Sequence, residues 1–239
     1  MTETDGETIG ILGGMSSEST REYYRSIDAQ INDVRGGHHA GDVVIRSVNF
    51  ATIERCIRTE RWDEASAILA DAAADLERAG ADFVVMATNT MHRVAPRIVE
   101  ALTIPFVHIV DVAAEAVHSA GIDTVGLLGT RPVMDGSFYL DRFEAQGVET
   151  VVPEPADREA VDRIIFEELT KGVVRDASRD RYLAIIDDLV GRGAEGIVLG
   201  CTEIEMLVDQ AACPDTPLFD TTALHVERAV ERSLRAVES

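Results

Sequence analysis

Two short stretches of this chain each end on a residue that can handle a proton. Gly193 to Glu203 reads Gly-Ala-Glu-Gly-Ile-Val-Leu-Gly-Cys-Thr-Glu, so an apolar run delivers Cys201 to its end. Gly80 to Thr90 reads Gly-Ala-Asp-Phe-Val-Val-Met-Ala-Thr-Asn-Thr, with Thr88 at the matching position. A thiol at a strand end, with backbone N–H groups behind it, can have its ordinary pKa of ~8.5 drawn towards neutrality, which makes it a usable base. Acid/base groups on opposite faces of a tetrahedral carbon can take a proton from one side and return one from the other, inverting a stereocentre. A lone strand-end cysteine also suits nucleophilic acyl transfer, or one-base chemistry such as decarboxylation. Acyl transfer wants a histidine in reach, and no Cys-His signature accompanies Cys201. Cys56 and Cys213 read as packing residues.

The elements that must position these residues come in two copies. Besides the pair at Gly80 and Gly193, Thr8-Ile-Gly-Ile-Leu-Gly13 matches Thr124-Val-Gly-Leu-Leu-Gly129, and Ile104-Pro-Phe-Val-His108 matches Thr216-Pro-Leu-Phe-Asp220. The offsets are 116, 113 and 112 residues in the same chain order, the mark of one supersecondary unit used twice. Short apolar runs alternate with helical periods throughout, which predicts an α/β protein of two similar Rossmann-like domains with parallel sheets. The boundaries read 1–112 plus 215–239 for one domain and 113–214 for the other.

Within the first copy, Thr8 to Leu12 reads as a buried strand that stops at Gly13-Gly14. Ser16 and Ser17 offer helix caps, and Ser19 with Glu22 offers a capping box. The following helix runs to about Val34 with Tyr24, Ile27 and Ile31 facing inward. A glycine turn entering a helix can receive an anion, although G-x-x-G-G is not the dinucleotide fingerprint. Asp42 to Val48, Phe83 to Ala87 and Phe106 to Ile109 read as further strands, with a helix from Trp62 to Ala79 between the first two. His38-His39 reads as solvated loop and His92 as a core or supporting histidine. In the second copy, single helices are predicted from Pro132 to about Gln146 and from Arg158 to Lys171, the latter stopped by Gly172 with Lys171 in its last turn.

Composition narrows the function classes. At 239 residues with 46% hydrophobic content the chain can bury a full core. A formal net charge of −21 repels nucleic acid and anionic membranes, so neither is an expected partner. No apolar run approaches the ~20 residues of a membrane span, and the acidic start does not resemble a secretory signal, which points to the cytoplasm. The three cysteines form no metal or disulfide pattern. Of 22 basic residues 21 are arginine, and Lys171 is the only lysine. An acidic, almost lysine-free chain resembles proteins of salt-rich cytoplasms, or reflects codon bias. A solitary lysine invites a specific role, since arginine and lysine differ in geometry and hydration.

Ile9-Gly-Ile-Leu-Gly-Gly-Met-Ser16 through Glu18-Ser-Thr20, Thr88-Asn-Thr-Met-His92, Ile164-Ile-Phe-Glu-Glu-Leu169 and Leu199-Gly-Cys-Thr-Glu203 together resemble the aspartate/glutamate racemase family. The resemblance covers nearly the whole chain. It implies a cofactor-independent racemase, usually a homodimer, with two pseudo-twofold-related domains and a small acidic amino acid in the cleft between them. The family pairs two cysteines as bases. This chain carries Thr88 at the first position and resembles the subgroup with threonine there, so Thr88 and Cys201 are the implied catalytic pair. By the same resemblance Asn89, Thr90 and Thr202 hold the α-carboxylate and ammonium, Met15 and Ser16 line the pocket, and Lys171 meets the distal carboxylate. An arginine of Glu54-Arg55-Cys56-Ile57-Arg58 is a further carboxylate partner. Two other readings stay open: a one-cysteine decarboxylase of the same superfamily, and a carboxylate-binding protein without catalysis. A pyridoxal-phosphate enzyme through Lys171 lacks a recognisable phosphate cup.

Overall fold

A computed structural model describes residues 6–235. The chain forms two compact units, one running to His108 and resuming at His225, the other from Ile109 to Leu224.

In the first unit β1 (Ile9–Gly13), β2 (Val43–Ser47), β3 (Phe83–Met86) and β4 (Phe106–Val107) form a parallel sheet in the order β2-β1-β3-β4. β1 and β3 are buried along their whole length. Helices covering both faces explain why these strands read as unbroken apolar runs. α1 (Ser17–Arg35) turns Ser19, Tyr23, Ile27 and Ile31 inward. Tyr24, expected inside, is 46% exposed. Ser16 is the cap, accepting from the Ser19 N–H. The expected Ser19–Glu22 capping box does not form, because the Glu22 carboxylate accepts from Arg25 and Ser26 instead. α2 (Phe50–Arg58), which periodicity missed, is a short amphipathic helix that buries Ile53 and Cys56 and is capped by Asn49. α3 (Trp62–Arg78) and α4 (Ala95–Glu100) complete this part.

The second unit repeats the plan. β5 (Thr124–Gly129), β6 (Glu149–Val151), β7 (Gly196–Gly200) and β8 (Leu218–Asp220) form a parallel sheet in the order β6-β5-β7-β8. α5 (Ile109–Ser119) starts where a continued strand was expected. The single helix expected from Pro132 is two, α6 (Arg131–Met134) and α7 (Ser137–Ala145). Gly136 separates them with extended backbone, and a Cβ there would lie 2.2 Å from the Pro132 carbonyl oxygen. α8 (Pro155–Glu167) ends before Lys171, since Glu168 leaves helical geometry and Leu169–Lys171 form a separate 3-10 turn closed by Gly172 at φ +69°.

α9 (Asp176–Gly191) packs with α8 on the face of this sheet that carries Ile197 and Leu199, while Val198 points to the cluster on the other face. α10 (Thr221–Arg235) returns the chain to the first unit, where Val226, Ala229 and Val230 pack with Tyr23, Ile27 and Phe83. Among the described residues no helix is long and apolar enough to cross a membrane.

Candidate active site

In the first unit the carboxyl ends of β1 and β3 lie side by side. Leu12 pairs with Met86, and the Ala87 N–H donates to the Leu12 carbonyl at 3.0 Å. After β1 the backbone folds tightly through Gly14 at φ +84°, where a Cβ would sit 2.2 Å from the Val48 carbonyl oxygen, so only glycine serves. The Gly14 N–H donates to the Thr20 hydroxyl at 2.9 Å, and that hydroxyl donates to the Ser16 carbonyl at 2.8 Å. Met15 is buried and Ser16 half-buried at the start of α1. On the neighbouring strand end Thr88 is half-buried, Asn89 is buried, and Thr90 opens a 3-10 turn over Thr90–Val94.

Behind Thr88 stands a buried block of histidines. The His92 Nδ1 lies 2.7 Å from the Thr88 carbonyl oxygen. A carbonyl only accepts, so this nitrogen carries the proton and donates. His92 meets His108 edge-on with ring centroids 4.6 Å apart and faces His225 at 6.0 Å. The His225 Nε2 donates to the Val107 carbonyl at 3.0 Å, which leaves Nδ1 to accept from the Tyr23 hydroxyl at 2.8 Å. Burial pushes the His225 pKa down to about 4, so this ring is neutral near pH ~7.

In the second unit Cys201 follows β7, whose last residue Gly200 pairs with Gly129 of β5. The Leu199 carbonyl just before it accepts from the Thr221 hydroxyl at 2.8 Å. The Cys201 Sγ donates to Glu203 Oε2 at 3.0 Å, and the Thr202 hydroxyl donates to the same oxygen at 2.6 Å. From α8, Asp162 accepts the Arg131 N–H at 2.7 Å, and burial raises its carboxyl pKa.

These surroundings correct one expectation from the sequence. Burial, reinforced by the Glu203 charge and hydrogen bond and then by Asp162, holds the Cys201 thiol well above its usual pKa, not near neutrality. The backbone N–H contribution acts in the opposite direction and is outweighed. Tyr182 on α9 is likewise pushed up, by burial first and then by Cys201, Asp162 and Glu168.

Lys171 is exposed at the end of its 3-10 turn and makes no ion pair with any described residue. The turn is tied down through Glu168, whose carboxylate accepts from the Ser178 hydroxyl at 2.7 Å and from Arg175 at 3.4 Å, both at the start of α9. Leu169, within the turn, packs in the cluster that also receives Leu199 and Cys201. On α2, Arg55 and Arg58 are exposed and paired with Glu64 and Glu54, at 3.8 and 3.0 Å.

The fold thus groups Met15, Ser16, Thr88, Asn89 and Thr90 at one sheet's carboxyl end, and Cys201 with Thr202 at the other's, where open α/β sheets bind ligands. Sequence reasoning did not single out Glu203, Asp162 or the Tyr23–His225 pair. Glu203 was within reach, two residues from the thiol; nothing local tied Asp162 or His225 to their partners.

Comparison with known proteins agrees with the fold of two parallel sheets flanked by helices. Residues 12–229 match the model of the family described as Asp/Glu/hydantoin racemase. The crystal structure of a candidate Asp/Glu racemase from Yersinia pestis is 43% identical, with a TM-score of 0.91 over 95% of this chain and 99% of its own. An aspartate racemase homologue from Pyrococcus horikoshii is 33% identical, with a TM-score of 0.83 over 95% and 99%. The broad-specificity amino-acid racemase of Bacillus subtilis is 24% identical over 227 residues, covering 95% of this chain and 98% of its own.

Proposed function

The chain belongs to the Asp/Glu/hydantoin racemase family, and from that premise we propose that it interconverts the enantiomers of aspartate, glutamate or both, without a cofactor. The observation that carries the proposal is one of register. Met86 pairs with Leu12 in one sheet and Leu199 with Leu128 in the other, so Thr88 and Cys201, each two residues further on, end equivalent strands. Each is assigned to one face of the substrate α-carbon.

Cys201 exchanges the α-proton directly on its face, and the Thr88 hydroxyl relays a proton between the other face and water or a substrate carboxylate. A threonine hydroxyl is too weak an acid to do more alone. Backbone N–H groups at the two strand ends, with Asn89, Thr90 and Thr202, hold the α-carboxylate and ammonium. This stabilises the negative charge that develops when the α-proton leaves. Met15 and Ser16 line the pocket. Lys171 supplies a compact ammonium for the distal carboxylate, selecting acidic over neutral amino acids. The three free thiols suit a reducing cytoplasm, and a homodimer is the assembly we assign; a monomer mass by light scattering would refute it.

The test is α-proton exchange in deuterated buffer, offering each enantiomer of aspartate and glutamate separately without pyridoxal phosphate and following deuterium and chirality together. Exchange with inversion is the expected result. No exchange from any of the four would refute the reading. A thiol held protonated also favours a second reading, a one-cysteine decarboxylase in which Cys201 delivers a proton to an enolate. Carbon dioxide release from a substituted malonate, with amino acids untouched, would select it.

A further inference from the structure

The end of β7 holds more than a cysteine. Glu203 turns its carboxylate back along the chain so that one oxygen, Oε2, receives both the Cys201 thiol at 3.0 Å and the Thr202 hydroxyl at 2.6 Å. The second oxygen takes no hydrogen bond from the described residues, and the side chain is only half-buried. One oxygen is therefore aimed at sulfur while its twin can exchange with water. We propose that Glu203 is the proton acceptor for the Cys201 thiol, the group that turns it into a thiolate base on its face of the substrate.

The inference rests on the racemase reading, because only a reaction that begins at the α-proton requires sulfur as a base. Among the described residues, the ionisable groups facing the sulfur are Glu203 from its own turn, Asp162 from α8 and Tyr182 from α9. None of them is cationic. Burial and two carboxylates keep the thiol protonated, so a thiolate does not stand ready and the proton needs an acceptor within reach. Asp162 is occupied by the Arg131 N–H; Glu203 already touches the thiol.

The protons balance. The S–H bond breaks, an O–H bond forms on Glu203 and the electron pair stays on sulfur. The thiolate then takes the α-proton, reforming S–H and leaving the pair on carbon. That carbanion is protonated on its other face through Thr88, which is refilled from water, and Glu203 returns its proton to water. Thr202, bound to the same oxygen, fixes the carboxylate rotamer and acts as a positioning residue.

The experiment pairs two readouts on Glu203→Gln, which keeps an oxygen acceptor near sulfur but cannot take a proton. Turnover of the enantiomer whose α-hydrogen faces Cys201 should fall ~100-fold or more, the usual scale of a lost general base. That loss should shrink as the pH is raised, because hydroxide then removes the thiol proton in place of the carboxylate. Glu203→Asp, which keeps a carboxylate near the sulfur, should retain part of the turnover near pH ~7. Unchanged turnover in Glu203→Gln overturns the inference, as does a loss of the same size at every pH, the pattern of a merely structural role. A wild-type protein that exchanges no α-proton overturns the racemase reading and the inference with it. A wild type that does exchange, with a Gln variant that matches it, overturns the inference alone.

Discussion

Acid should unfold the first unit through His225, and the size of the effect follows from the ring's surroundings. His225 is fully buried, donates through Nε2 to the Val107 carbonyl and accepts through Nδ1 from the Tyr23 hydroxyl. Both contacts suit the neutral ring, and burial depresses its pKa from 6.5 to about 4. In the unfolded chain the same imidazole takes a proton at its ordinary value of ~6.5. Between these values the unfolded state binds more protons than the folded one, so stability is constant above the unfolded pKa and falls as pH drops towards the folded one. At ~1.4 kcal/mol for each pKa unit, the loss reaches ~3 kcal/mol near pH ~4. Urea unfolding of wild type and His225→Gln, each near pH ~7 and pH ~4, isolates the contribution, because carboxylate titration is common to both proteins and cancels in the difference. The wild type should lose ~3 kcal/mol more than the variant over this interval. Equal acid losses in the two proteins would refute the assignment of His225 as a buried neutral ring.

Gly14→Ala forces a side chain into left-handed backbone and against the Val48 carbonyl at 2.2 Å; a cost of ~2–4 kcal/mol is expected, and an unchanged thermal midpoint would contradict the turn as described. Thr88→Ala should lower inversion ~100-fold or more while Thr88→Ser keeps most of it, measured by circular dichroism of the amino acid; equal rates in wild type and the Ala variant would remove the hydroxyl from the reaction. Lys171→Met should raise KM for aspartate ~10- to 100-fold, the scale of one charged hydrogen bond, with little change in kcat, and unchanged kinetics would take Lys171 out of the substrate site.

What the sequence disclosed followed from which forces are local. Strands covered on both faces need apolar residues at every position, so β1, β3, β5 and β7 stood out as unbroken runs, and the strand order repeated in the two sheets matches the spacing of the internal repeat. Adjacent tyrosines defeated the reading of α1, because a helical period cannot choose between Tyr23 and Tyr24. The buried one is the one whose hydroxyl finds His225, 202 residues away. α2 spans nine residues, too few for its period to register. The break before Lys171 was equally hidden, since Glu168 leaves the helix where its carboxylate meets Ser178 and Arg175 on the next one.

The equivalent strand ends have acquired opposite chemistry, and this bears on how a threonine can stand where a cysteine is expected. At Thr88 the imidazole N–H of His92 grips the backbone carbonyl, and His225 behind it stays uncharged. Around Cys201 the partners are acids, Glu203 at the sulfur and Asp162 nearby. Two identical thiols would share one kind of task in both directions of inversion. A thiol with a carboxylate acceptor and a weakly acidic hydroxyl divide it unequally, so in the proposed reaction the two faces are not equivalent. The enantiomer whose α-hydrogen faces Cys201 should therefore show a kcat different from that of its mirror image, with KM changed in proportion because the equilibrium constant between enantiomers is one. Initial rates from each enantiomer at saturating concentration decide this, and equal kcat values in the two directions would show that the two faces are served alike.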